Sequence, residues 1–177
     1  MINISLFDKN NNYYKKEAAD LLAEIFPHAY SDCATEEIDE CLGRERVAIM
    51  AVKDGRLVGF VGAGPHYDGN VWELHPLVVK AEYQFQGIGT KLVEALEKEC
   101  RLRGGITIYL GTDDEFEETT LGGVDLYDDT YEKMANIKNL KNHPYEFYQK
   151  NGYKIVGIVP DANGVGKPDI MMAKRIV

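Results

Sequence analysis

Hydrophobic and polar positions change their period several times along this chain, and each change marks an element. Ile2 to Leu6 alternates like a half-buried strand, whereas Ala18, Leu21, Leu22 and Ile25 fall at i, i+3, i+4 and i+7 of a helix facing a core. Pro27 ends that helix, since it can neither donate a backbone hydrogen bond nor fit inside a helix. Arg46 to Val52 and Leu57 to Gly62 read as strands joined by Lys53-Asp54-Gly55-Arg56, and Asp-Gly tolerates the positive φ of a tight hairpin. Val71 to Val79 is an apolar, β-branched run broken by Glu73, His75 and Pro76; Pro76 cannot join a ladder and predicts a bulge or an edge opening. From Gly87 the period becomes helical, with Ile88, Leu92, Ala95 and Leu96 on one stripe and Gly104-Gly105 as the stop near Arg103. Ile106 to Leu110 is then expected as a buried strand, Tyr127 to Ile137 and Pro144 to Lys150 as helices, and Tyr153 to Val159 and Ile170 to Ile176 as the last strands. The sum is an α/β fold, a mixed central sheet flanked by helices in three layers. No linker, repeat or low-complexity tract divides it, so one domain is expected over residues 1–177.

Composition narrows what such a domain can do. With 177 residues, 45% of them hydrophobic, the chain can build one substantial core. No window approaches the ~18 consecutive apolar residues of a membrane helix, and Met1 to Ser5 lacks the basic-then-apolar build of a secretory signal, so a cytoplasmic location is expected. Cys33, Cys41 and Cys100 form no C-x-x-C pair and have no histidine at zinc spacing, which predicts reduced thiols and no metal. A net charge of −9 repels nucleic acid and anionic membrane surfaces and attracts cations.

The stretch richest in chemistry is Gln84-Phe85-Gln86-Gly87-Ile88-Gly89-Thr90, between a β-run and an amphipathic helix. Glycines admit close backbone approach, and the first helical turn offers unpaired N–H groups at a positive dipole end, so a pyrophosphate fits. Gly89-Thr90-Lys91 reverses the order of a P-loop and no G-x-G-x-x-G is completed, which removes ATP hydrolysis and nicotinamide chemistry. The remaining pattern, Q-x-x-G-x-G after a broken strand, resembles the acetyl-CoA loop of the GCN5-related N-acetyltransferases, and Phe147-Tyr148 followed by Gly152-Tyr153 is similar to their C-terminal segment. Four longer runs, Trp72 to Val79, Gly104 to Asp114, His143 to Tyr148 and Lys167 to Ile170, resemble the homodimeric aminoglycoside 6′-N-acetyltransferases in particular.

That resemblance implies acetyl-CoA as cosubstrate, a polycationic aminoglycoside as acceptor and a homodimer. It assigns Leu77, Val78, Val79, Gln84 to Thr90 and Tyr148 to the coenzyme. Glu73 would take the amine proton, directly or through water. The backbone N–H of Leu77 or Val78, freed by Pro76, would stabilise charge on the thioester oxygen, and Tyr148 would protonate the departing thiolate or hydrogen-bond its sulfur. Tyr67, Glu73, His75, Asp113, Asp114 and Glu115 are expected on the acceptor side; Asp113, Asp114, Glu115, Glu117 and Glu118 together would form an acidic mouth. Cys100 is expected to be buried, which favours direct transfer over an acetyl-cysteine. The chain departs from the family in the loop after the first helix, where members often carry tryptophan and Phe26 precedes Pro27 here, which puts a sugar-stacking role there in doubt. Two other readings stay open: acetylation of a polyamine, metabolite or protein lysine, and an acyl-CoA-binding module with little catalysis.

Overall fold

The computed structural model describes residues 1–177, which form two compact units, Met1–Ile108 with Ile176–Val177, and Tyr109–Arg175. In the first unit, β1 (Ile2–Leu6), β2 (Val47–Lys53), β3 (Arg56–His66) and β4 (Val71–Val79) lie side by side in that order, each antiparallel to the next. The β2–β3 hairpin turns on Asp54 and Gly55, both at positive φ, with Lys53 opposite Arg56. α1 (Asn12–Ile25) begins where the Asn11 side chain accepts from the Tyr13 and Tyr14 amides. It ends before Pro27, which opens a short second helix, α2 (Pro27–Tyr30).

Both faces of this sheet are covered. Ala48, Met50, Phe60 and Val78 pack against Leu21 and Leu22 of α1 and Ile38 of α3 (Ala34–Cys41). On the other face lies α4 (Ile88–Leu102); a side chain at Gly59 would come within 3.3 Å of Leu92. A helix at Ala34–Cys41 is not foreseen by the pattern above, although Ala34, Ile38 and Cys41 are its buried stripe.

α4 stops at the predicted glycines for a definable reason. Gly104 adopts φ 88, its N–H reaches the Arg101 carbonyl at 3.0 Å, and the Gly105 N–H reaches Cys100 at 2.9 Å. These two bonds satisfy carbonyls that the last turn would otherwise leave unpaired. Gly105 is required a second time, because a Cβ there would sit 2.7 Å from the Trp72 ring.

The second unit holds most of β5 (Thr107–Asp113), then α5 (Thr130–Ala135), α6 (Tyr145–Lys150), β6 (Lys154–Val159) and β7 (Asp169–Arg175), with strand order β5, β7, β6. Two expectations need correction. β5 alternates between buried and partly exposed positions rather than being buried throughout, and Ile106 stands outside it, 41% exposed. The helix expected over Tyr127 to Ile137 shrinks to Thr130–Ala135. Asp125 accepts from the Tyr127 amide at 2.9 Å and Asp129 takes a left-handed conformation, so local side-chain bonding replaces the first helical turn.

Gly105→Ala forces the Trp72 ring or the helix end to move. The expected cost is roughly 1–3 kcal/mol of stability, read as a lowered thermal midpoint.

Candidate active site

Strand β4 carries a bulge where Pro76 predicts one. Val61 pairs with Leu77 and Ala63 with Leu74, so His75 and Pro76 together oppose Gly62 alone. Gly62 is forced, since a Cβ would lie 2.8 Å from the His75 carbonyl oxygen. The extra residue changes which side chains face which helices. Before the bulge Glu73 and His75 share one face while Trp72 and Leu74 are buried on the other; after it the buried Val78 belongs to the face of Glu73.

Glu73 is half-exposed, and its Oε2 lies 3.1 Å from His66 Nε2 at the end of β3. His75 reaches toward the helices: its Nε2 is 2.8 Å from the Tyr30 hydroxyl and 3.7 Å from Glu37 Oε1. Cys41 donates its thiol to Glu37 Oε1 at 3.5 Å. Tyr67 stands exposed in the turn Tyr67–Gly69, all three residues of which have positive φ. His66, Tyr30 and Glu37 are neighbours that no sequence motif signals; two of them sit on the short helices α2 and α3.

The predicted coenzyme loop follows β4. Leu77 is the first residue to regain register, and the Val79 carbonyl accepts from the Gln84 side chain at 3.0 Å. Gln86 in turn donates to the Glu82 carbonyl at 2.9 Å, so both glutamines fasten the loop to itself. Phe85 is fully exposed at φ 57, and Gly87, at φ 77, caps α4 with no side-chain bond to the first turn. The amides of Ile88, Gly89 and Thr90 therefore have no partner within the helix. Nothing lies within 4 Å of a Cβ built on Gly87. Free amides beside open space at a helix N-terminus are what a pyrophosphate needs, so these residues fit coenzyme A.

Within the second unit, the motif around Tyr148 is a helix stop that fixes a side chain. Gly152, at φ 89, bonds to the Gln149 carbonyl at 2.9 Å, the Tyr153 amide bonds to the Tyr148 carbonyl at 3.0 Å, and the two tyrosine rings meet edge to face at 5.8 Å. Tyr148 is buried, and burial pushes its phenol above the ordinary tyrosine range. The hydroxyl thus keeps its proton well past neutral pH.

The acidic run splits into unlike parts. Asp114 is 0% exposed, and its oxygens accept from the Glu118 amide at 2.6 Å, the Thr119 amide at 2.9 Å and the Thr119 hydroxyl at 2.7 Å. It organises the loop and does not face solvent, which corrects its place in an acidic mouth. Asp113 is exposed and accepts from the Asn163 side chain, and Glu115 is partly exposed. Asp114, Glu118 and His143 bring ligand atoms within 4.8 Å of one another. The His143 nitrogens are already committed: Nε2 donates to the Asp113 carbonyl at 3.0 Å, and Nδ1 accepts from the Tyr145 amide at 3.2 Å.

This arrangement of bulged strand, glycine turn and helix is characteristic of an enzyme that holds an acyl-coenzyme A. A family model described as Acetyltransferase (GNAT) family matches residues 15–122, and the chain belongs to that family. Its fold class is the mixed sheet flanked by helices that the sequence predicts. Among solved structures, the chain is similar to an aminoglycoside 6′-N-acetyltransferase complexed with coenzyme A, at 54% identity and TM-score 0.97 over 99% of this chain and 97% of that one. The aminoglycoside 6′-N-acetyltransferase from Enterococcus faecium gives 54% identity and TM-score 0.95 over the same shares. An aminoglycoside 6′-acetyltransferase type Ii gives 47% identity and TM-score 0.80, again over 99% and 97%. A search of curated proteins finds no match.

Two outcomes test these assignments. Asp114→Ala strands three donors, the buried Thr119 amide and hydroxyl and the part-buried Glu118 amide; a buried donor left unpaired costs about 1–3 kcal/mol, so the urea midpoint should fall clearly. Burial pushes the Cys41 and Cys100 thiols up to about 12, while Cys33 is exposed. Alkylation of the native protein at pH 8 should therefore modify Cys33 first, with the other two reacting only after unfolding.

Proposed function

We propose that this chain is an acetyl-CoA-dependent N-acetyltransferase acting on the 6′-amine of aminoglycosides. The observation that carries the reading is the near-full-length likeness, at 54% identity, to two aminoglycoside 6′-N-acetyltransferases. The negative balance of −9 supports a polycationic acceptor.

Acetyl-CoA supplies the activated acetyl group; the chain's own residues supply position, charge and protons. The amides of Ile88, Gly89 and Thr90 and the turn at Gly87 receive the pyrophosphate, with Gln84, Phe85 and Gln86 shaping the loop that leads there. Leu77, Val78 and Val79 hold the coenzyme along the strand, and the Leu77 N–H, just past the bulge, stabilises negative charge on the acyl oxygen. Glu73 attracts the ammonium form of the acceptor and removes the proton that the attacking amine must lose, directly or through water. Tyr148 returns a proton to the thiolate or hydrogen-bonds its sulfur; burial keeps the phenol protonated and so able to donate. Tyr67, His75, Asp113 and Glu115 complete the acceptor contacts, and Asp114 acts only through the loop it holds.

Direct transfer is favoured over an acetyl intermediate on Cys41 or Cys100, because burial pushes both thiols up to about 12 and keeps them protonated. No helix is long and apolar enough to cross a membrane. Residues 1–177 working as one catalytic domain, a homodimer and a cytoplasmic setting complete the proposal, all three supported by the family likeness.

A thiol-release assay tests it. Kanamycin-type substrates should give product and analogues lacking the 6′-amine none; equal or greater activity on polyamines or lysine peptides would replace the acceptor assignment, and coenzyme binding without turnover on any amine would replace the activity. Glu73→Ala and Tyr148→Phe should each lower turnover by on the order of 100-fold, with the KM for acetyl-CoA little changed.

A further inference from the structure

Glu73 is an unsettled choice for a base if its surroundings are ignored. It has a long side chain, 42% exposed, and such a side chain loses rotamer freedom when it is held in one position. Something must hold it, and the cross-strand geometry shows what does. Glu73 pairs directly with Gly64, which has no side chain to offer, and His66 lies two residues along, on the diagonal of the same face. His66 Nε2 comes within 3.1 Å of Glu73 Oε2. A carboxylate oxygen only accepts, so Nε2 donates.

The other charged groups nearby are committed elsewhere. The Arg46 guanidinium lies over Gly64, 3.3 Å from where a Cβ would be, and pairs with Glu40 at 2.7 Å. His75, the second imidazole on the face of Glu73, turns to Tyr30 and Glu37. Glu73 is thus bonded by the His66 imidazole, while Arg46 and His75 bond other acids.

We propose that His66 is the positioning residue for Glu73 in the acetyl transfer: it fixes one carboxylate oxygen and leaves the other turned to the acceptor amine. This rests on the reading of Glu73 as the base. A histidine suits the role better than a lysine or arginine would. An imidazole N–H orients the carboxylate through a planar ring donor, whereas lysine or arginine would set a permanent positive charge against the group that draws in a polycation. In the reaction the amine proton passes to the unbonded Glu73 oxygen and from there to water, while the His66 hydrogen stays in place.

The experiment compares His66→Ala, His66→Gln, Glu73→Ala and the double variant His66→Ala/Glu73→Ala in the full chain, with kanamycin and acetyl-CoA at fixed pH. His66→Ala should lower kcat by on the order of tenfold through misplacement of the base and leave the KM for acetyl-CoA unchanged. His66→Gln should restore most of the loss, because its amide N–H can still reach the carboxylate. In the Glu73→Ala background the His66→Ala change should have no further effect, and ring-nitrogen NMR of the wild type should show His66 with hydrogen on Nε2. Wild-type turnover in His66→Ala, no rescue by glutamine, or an undiminished loss in the Glu73→Ala background would each overturn the proposal. If Glu73→Ala itself turns over like the wild type, the base assignment fails and this inference with it; a crippled Glu73→Ala beside an active His66→Ala removes the inference alone.

Discussion

A single extra residue in β4 decides which of its side chains face which neighbours in the first unit. A strand presents alternate side chains to opposite faces, and in an unbroken β4 Glu73 and His75 would share a face with Leu77 and not with Val78. The bulge at His75 and Pro76 shifts that parity once. It lets the first half of the strand turn His75 toward Tyr30 of α2 and Glu37 of α3 and Glu73 toward His66 of β3, while the second half returns Val78 to the core that α1 and α3 cover. The shift depends on Gly62, because any Cβ there would press on the His75 carbonyl. Proline on one strand and glycine on its partner are therefore two halves of one device. Neither would achieve the offset alone.

The same economy appears at the ends of α4 and α6. Both finish with a left-handed glycine whose neighbours close two bonds back onto the last turn, yet the glycine that follows in one case and the tyrosine that follows in the other serve different ends. After α4 the second residue must be glycine, since the Trp72 ring occupies the space of a Cβ. After α6 the corresponding residue is Tyr153, whose ring braces Tyr148. A C-terminal signature of the form F-Y-x-x-x-G-Y thus has a local physical cause. The glycine turns the chain so that the final aromatic ring comes back against the first tyrosine of the motif and holds it in place.

Much of this was legible in the sequence because the deciding forces are local. The hairpin at Asp54-Gly55, the bulge at Pro76 and the stops at Gly104 and Gly152 all follow from the φ preferences of glycine and aspartate and the missing N–H of proline. The elements that escaped are those whose local signal is weak or contested. α3 has three buried positions and four acidic residues in eight, so its stripe is thin, and its place is decided by packing under the sheet. Around α5, Asp125 and Asp129 divert the backbone before the helix can start. The partners of the candidate base, His66 above all, were not legible, because a diagonal contact between strands leaves no spacing to read. Residues assigned by resemblance stand out by their motifs, while bonds that orient them, such as that of His75 to Tyr30, join positions far apart in the chain and leave no motif.

Charge shows the limit of composition most plainly. Five acids in six positions after a strand read as a surface field, but such a run cannot be pooled, because each carboxylate meets a different environment. Asp114 lies wholly inside, its oxygens taken up by three donors from Glu118 and Thr119, and Asp113 meets an asparagine at the surface. A buried carboxylate whose oxygens are already bonded contributes shape to a loop and little attraction to a distant cation, whereas one left at the surface contributes attraction with no fixed shape. An acidic loop that must both hold its form and draw in a polycation needs residues of each kind. The division of labour between Asp114 and its exposed neighbours is how one short run can meet both demands, and the net charge of −9 by itself cannot say which acid does which.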